Sequence, residues 1–313
     1  MLSHTQSLLD RFFNTDPRAL AKLMTLIDNR HDDSLEVMSA IHDHEKGSQR
    51  IGITGPPGSG KSTLVDKLIS HYRKQNKSVG VIAIDPSSPF SGGAVLGDRI
   101  RMQEHSADEN VFIRSLGSRG AHGGLSRATR DIVSLLDAFG FDVILIETVG
   151  VGQTELDIMS IASTTLVVLV PESGDTIQTM KAGLMEIANI FIVNKSDREG
   201  ADQIFAELRS LSEMYSTGWE VPVTKTVALK NEGTTELMEI IEAHEKHRQN
   251  QVKLSTEPIL ISECLEILLS ELSDDLTKHF SPTGKYKKIY KDLLSEKGNP
   301  YSAVIEMKKK IKT

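Results

Sequence analysis

The chain has 313 residues, 39% of them hydrophobic and 25% charged, which suits one large globular domain or one domain with appendages. Its formal net charge of −7 argues against a general nucleic-acid binder, and a single cysteine, Cys264, excludes a disulfide framework within the chain. No run of about 18 apolar residues offers a membrane span, and the opening MLSHTQSLLDRFF lacks the basic start and unbroken apolar run of a signal peptide. The reducing cytosol is therefore the expected compartment.

Residues 1–48 carry apolar residues at helical spacing, with Leu8, Leu9, Phe12 and Phe13 followed by Leu20, Leu23, Met24 and Ile27. Asp16-Pro17 is a helix start, with an acid at the cap and proline in the first turn. Two or three short helices are expected here, forming an N-terminal helical extension.

Residues 49–252 alternate short β-branched runs with longer amphipathic ones. Strands are expected at 50–54, 78–85, 110–116, 141–148, 164–171, 190–195 and 221–229. The runs are nearly continuous in apolar residues, as strands buried on both faces require. Repeated strand–helix–strand order implies an α/β fold, a mostly parallel sheet with helices on both faces.

Residues 253–313 return to helix, forming a C-terminal arm with turns at SPTG (281–284) and GNP (298–300). Cys264, in LISECLEILL, is read as a core residue on an apolar helical face, and Trp219 as a packing residue ahead of a strand. Residues 276–313 hold ten lysines against three acids, which reads as a solvated helical face.

The first chemistry lies at GPPGSGKST, residues 55–63. It fits G-x-x-x-x-G-K-[ST] and falls between an expected strand and an expected helix, the context that pattern demands. Gly55, Gly58 and Gly60, with Pro56, Pro57 and Ser59 between them, let the backbone turn its amides onto an anion. The following helix adds the partial positive charge of its N-terminus. Lys61 is expected to reach the β- and γ-phosphates, Ser62 to ligate Mg²⁺, and Thr63 to lie near the α-phosphate.

Asn194-Lys195-Ser196-Asp197 closes the sixth strand and reads as N-K-x-D. Guanine offers two parallel donors, N1–H and the exocyclic amine, and the Asp197 carboxylate accepts both. Adenine has no such pair, so a buried Asp197 would be left unsatisfied with ATP, which favours GTP. Asn194 braces the loop, the Lys195 stem lies on the ring, and the backbone around Val227, Ala228 and Leu229 backs the base.

Asp85, Asp98 and Glu147 sit at strand ends or in adjacent loops, suited to Mg²⁺ beside the phosphates. Glu147-Thr148-Val149-Gly150 stands where a D-x-x-G segment would, with the Gly150 amide toward the γ-phosphate. Gln153 is a candidate to position the attacking water. Arg99, Arg101, Arg114 and Arg119 are candidates for charge stabilisation. A missing catalytic group would make hydrolysis slow until a partner supplied it.

Taken together, GPPGSGKST, DPSSPFSGGAVLGDRIRM, SRGAHGGLSRAT, ETVGVGQTE, PESGDTIQ and NKSD resemble the MeaB/ArgK family of P-loop GTPases. The resemblance runs from about residue 50 to 240. It implies a GTP-hydrolysing chaperone, bound to GTP or GDP and Mg²⁺. Such a protein gates adenosylcobalamin loading of a B12-dependent mutase, chiefly methylmalonyl-CoA mutase, and protects the enzyme. It also implies a homodimer with C-terminal helices in the contact, and a partner-sensing switch at PESGDTIQ. Family members often have Ser-Ala where this chain has Val227-Ala228, so only backbone contacts to the base carry over there. Three other classes are compatible with a phosphate loop: a nickel-delivery GTPase, a small-molecule kinase, and a nucleotide-gated binding module. The lone cysteine and scattered histidines disfavour the first, and N-K-x-D disfavours the second.

Overall fold

The computed structural model describes residues 3–85, 104–105, 107–117, 127–148, 157–173, 186–214, 218–250, 257–295 and 299–311. Contacts divide the chain into two compact units, residues 1–250 and 251–313.

The first unit is built on a seven-stranded sheet: β1 (Gln49–Thr54), β2 (Val79–Asp85), β3 (Val111–Gly117), β4 (Val143–Glu147), β5 (Thr164–Leu169), β6 (Ile190–Asn194) and β7 (Val223–Thr226). The order across the sheet is β3-β2-β4-β1-β5-β6-β7, and every pairing is parallel. Parallel neighbours need crossovers, so helices must cover both faces. Three helices precede β1: α1 (Ser3–Phe13), α2 (Pro17–Asp28) and α3 (Ser34–His42). Within and after the sheet come α4 (Lys61–Lys74), α5 (Arg127–Phe139), α6 (Ala201–Met214) and α7 (Thr234–Asn250).

The side-chain period of two assigns each strand residue to a layer. On β4, Val143 and Leu145 point into a core with Leu64, Leu68 and Tyr72 of α4 and Leu237 and Ile241 of α7. Ile144 and Ile146 point the other way, among Leu20, Leu23 and Met24 of α2 and Ile132, Leu135 and Leu136 of α5. Further along that face, Val167, Leu169, Phe191 and Val193 pack on Ile204 and Leu208 of α6. The N-terminal helices thus share one apolar core with α5. Asp16 caps α2, its side chain accepting from the Arg18 amide at 2.8 Å, with Pro17 in the first turn.

Two expected strands end more than one residue early. The fifth stops at Leu169 and passes into a 3-10 turn at Pro171–Ser173. The seventh stops at Thr226, because the chain turns back through Ala228–Lys230 to bridge Val227 with Glu232. Trp219 packs as expected: its indole donates to the Asn189 carbonyl at 2.9 Å and its ring meets His244 edge-on.

The second unit holds α8 (Glu257–His279), α9 (Lys287–Leu293) and α10 (Pro300–Ile311). Its core is small, with Tyr286, Ile289 and Ala303 buried and Leu276, Phe280, Leu293 and Met307 against them. Cys264 is exposed rather than in the core. It lies on a stripe of α8 with Leu260, Ile261, Leu265, Leu268, Leu269 and Leu272, all exposed. Helical periodicity thus gathers these residues on one face of α8 but does not bury it.

Candidate nucleotide site

The register collects the motifs at one edge of the sheet. Ile53 of β1 pairs with Glu147 of β4, and Ala83 of β2 pairs with the same residue. Asn194 of β6 pairs with Thr226 of β7. The C-terminal ends of β1, β2, β4, β6 and β7 therefore open on one side, where ligands of open parallel sheets bind. The backbone of Asp85 closes β2 on that side.

The loop after β1 cannot be built from ordinary residues. Gly55 has φ +133°, and a Cβ there would lie 2.1 Å from the Val168 carbonyl oxygen. Gly60 has φ +90°, and a Cβ there would lie 2.3 Å from Asn194 Nδ2. Both positions need glycine for conformation and for close approach. Pro56 and Ser59 are buried, Pro57 and Gly58 exposed, and Thr63 half-buried. Gly60 caps α4, so the first-turn amides of that helix face the loop.

Lys61 is buried, and its ammonium donates to the carbonyls of Gly55 at 2.8 Å and Pro56 at 3.1 Å. A lysine placed across its own glycine loop is a point charge held for an anion. Ser62 donates to Glu147 Oε1 at 2.6 Å, and both are buried. A hydroxyl beside a carboxylate is a hard oxygen pair of the kind Mg²⁺ takes. The Ser59 hydroxyl is wholly buried with no hydrogen-bond partner among the described residues. A buried polar atom in that position fits a loop shaped around an anion rather than one closed on itself. The residues present thus fit a nucleotide phosphate chain with its metal.

A second set of bonds ties this loop to the N-K-x-D segment. The Asn194 amide donates to the Ser59 carbonyl at 2.8 Å, and its oxygen accepts from Thr226 Oγ1 at 3.0 Å and the Ala228 amide at 3.1 Å. Asn194 therefore uses both ends of its side chain and joins three loops. Lys195 has φ +55°, and its ammonium donates to the Gly58 carbonyl at 2.7 Å. Val227 and Ala228 are buried, whereas Leu229 is 83% exposed.

Asp197 differs from expectation. Its side chain is 41% exposed and accepts from the Lys230 ammonium at 3.0 Å. That hydrogen bond holds the Asp197 carboxyl below the usual carboxylate range, and Asp197 in turn raises Lys230. Solvent and Lys230 both reach the carboxylate. The turn after β7 brings Lys230 there, and that turn was absent from the longer strand expected.

Asp98, Gly150 and Gln153 lie outside the described residues, as do Arg99, Arg101 and Arg119. Arg114 is on the edge strand β3 and donates to Thr25 Oγ1 of α2 at 3.0 Å, away from the loop after β1. Three contacts escaped the sequence reading. Thr148 at the end of β4 donates to Thr54 Oγ1 at 2.9 Å. Arg198, next to Asp197, is paired with Glu172 of the turn after β5. The third is Lys230, whose only sequence signal is a cation two residues past Ala228.

Residues 20–273 match the family model described as Methylmalonyl Co-A mutase-associated GTPase MeaB. A Pyrococcus abyssi protein described as a GTPase is 45% identical over 310 residues, covering 97% of this chain and 96% of the relative. GTPase ArgK of Escherichia coli is 31% identical over 295 residues, covering 90% of this chain and 88% of that protein. Among solved structures, an LAO/AO transport system kinase superposes with a TM-score of 0.68 at 23% identity, covering 100% of this chain and 99% of the other. HypB from Helicobacter pylori, solved with nickel, reaches 0.50 at 15% identity, covering 71% and 98%. At those identities the two structures speak for the fold alone.

Proposed function

The chain belongs to the MeaB family of methylmalonyl-CoA mutase-associated GTPases, and from that premise we propose that it is a GTP-driven chaperone of an adenosylcobalamin-dependent mutase. Methylmalonyl-CoA mutase is the first client to test. The chaperone gates cofactor loading and protects the loaded enzyme. The observation that carries the nucleotide half of this reading is the Asn194 bridge, which fixes the base-reading loop to the phosphate loop through the Ser59 carbonyl. One side chain thereby links recognition of the base to placement of the phosphates.

In this reading Lys61 moves its ammonium from the Gly55 and Pro56 carbonyls to the β- and γ-phosphates, and the α4 N-terminus supports the same charge. Ser62, Asp85, Asp98 and Glu147 would hold Mg²⁺, with Ser62 and Glu147 already in contact. The metal supplies neutralisation of charge developing on the transferred phosphoryl oxygens. Asp197 reads guanine, Val227 to Leu229 back it, and Gly150 meets the γ-phosphate. Gln153 is assigned to the attacking water. The protein is cytoplasmic and a homodimer, and residues 1–48, 49–252 and 253–313 serve as helical extension, GTPase domain and dimerisation arm.

The test is GTP turnover by the purified protein, alone and with an adenosylcobalamin-dependent mutase from the same source. Slow turnover that rises on adding mutase, and vanishes in Lys61→Ala, is the expected result. Turnover indifferent to mutase, with no co-elution of the two proteins, would overturn the client assignment. Nickel enzymes would then be the next clients to examine.

A further inference from the structure

The base-reading loop holds a contact that N-K-x-D does not specify. Lys230 ends the 3-10 turn Ala228–Lys230. The turn is fixed on both sides. The Lys230 amide donates to the Val227 carbonyl at 2.9 Å, and Asn231 follows in the left-handed region at φ +59°. The Asn231 side chain accepts from Thr234 Oγ1 at 2.9 Å, and the Val227–Glu232 bridge closes the loop. Two residues earlier in the same turn, the Ala228 amide is bound to Asn194. The turn that backs the base and the loop that reads it are thus joined twice, by Asn194 to Ala228 and by Lys230 to Asp197 at 3.0 Å.

The other two cations of the loop around Asp197 are committed elsewhere. Arg198 is ion-paired with Glu172. Lys195 donates to the Gly58 carbonyl. Glu232 is the acid that bears on Lys230 besides Asp197. Lys230 is accordingly the cation placed to orient the Asp197 carboxylate among the described residues.

We infer that Lys230 is a positioning residue for guanine specificity, holding Asp197 Oδ2 so that both carboxylate oxygens face the two parallel donors of the base. The inference rests on the assignment of Asp197 to guanine. It works chemically because a carboxylate has about four lone-pair sites and an ammonium takes one of them on Oδ2. Each oxygen keeps an acceptor site for the base. A lysine suits this role better than an arginine, whose fork engages both oxygens and competes with guanine.

The experiment titrates a fluorescent GDP analogue, with GDP and IDP as competitors, on the full chain and on Lys230→Met, Asp197→Asn and the double variant. IDP lacks the exocyclic amine, so it makes one bond to the carboxylate where GDP makes two. Lys230→Met should weaken GDP about fivefold, the scale of an exposed ion pair, and IDP less. The GDP-over-IDP ratio then narrows, which a change in folding alone would not cause. In the Asp197→Asn background Lys230→Met should have no further effect. Should Asp197→Asn weaken GDP while Lys230→Met changes neither affinity nor ratio, the role of Lys230 is overturned and the base assignment stands. Equal losses from Lys230→Met in both backgrounds would also overturn it, since Lys230 would then act independently of Asp197. Unchanged GDP affinity in Asp197→Asn would remove the base assignment and this inference with it.

Discussion

At Gly60 the two loops of the nucleotide site come close enough that a methyl group has nowhere to go. A Cβ would sit 2.3 Å from Asn194 Nδ2, and the backbone is at φ +90°. Gly60→Ala therefore strains the backbone and pushes the amide off the Ser59 carbonyl. Such strain is worth about 1–3 kcal/mol. The variant is expected to melt about 2–6 °C lower and to gain less Tm from added GDP than the parent does. Thermal denaturation with and without GDP checks this, and an unchanged Tm increment would mean the Asn194 bridge does not serve the nucleotide. Ser62 and Glu147 teach the same lesson in another way. They lie 85 positions apart in the chain, and only the β1–β4 pairing brings hydroxyl and carboxylate to 2.6 Å.

The element scale is set by how α7 lies on the sheet. His244 of α7 is buried, its Nδ1 2.9 Å from Thr164 Oγ1 of β5, with Trp219 edge-on. Burial pushes its pKa down to about 4; Glu245 opposes the shift, and His247 and Arg248 add to it. The unfolded chain protonates this histidine near pH 6.5, whereas the folded chain refuses the proton until about pH 4. Stability is complete above pH 6.5 and is lost as pH falls through that window, by an amount on the order of 3 kcal/mol. Urea unfolding at pH 7.0 and pH 5.0 should show a larger loss for the parent than for His244→Gln. Parallel losses would mean that the carboxylates alone govern the acid limb. One of those is Asp137 at the end of α5. Burial raises it, but hydrogen bonds from Arg50 and the Ser48 and Lys46 amides hold it low on balance.

For the molecule as a whole, the apolar stripe of α8 is the feature that solubility has to answer for. Ile261, Leu265, Leu268 and Leu272 follow helical spacing and are exposed, with Leu269 65% accessible. A contiguous apolar face of that kind marks an interaction surface. If the chain is the homodimer proposed, light scattering at micromolar concentration should give twice the mass of 34.5 kDa. Leu268→Glu with Leu269→Glu should halve it while GTP turnover without mutase persists. A monomeric parent protein would dispose of the dimer. No helix among the described residues is long and apolar enough to cross a membrane.

What could be read directly from the chain was what is local. Glycines that need positive φ, a lysine and a hydroxyl at fixed offsets, and strands apolar on both faces are dictated by backbone sterics and by burial. Those features were enough for the α/β class, the phosphate loop and N-K-x-D. The rest depends on crossovers between distant segments. The order β3-β2-β4-β1-β5-β6-β7 puts β4 beside β1 and so brings Glu147 to Ser62. The turn that ends β7 at Thr226 carries Lys230 to Asp197, a contact that no local pattern encodes. The exposure of Cys264 belongs with these, because helical periodicity names the residues of an apolar face but not what covers it.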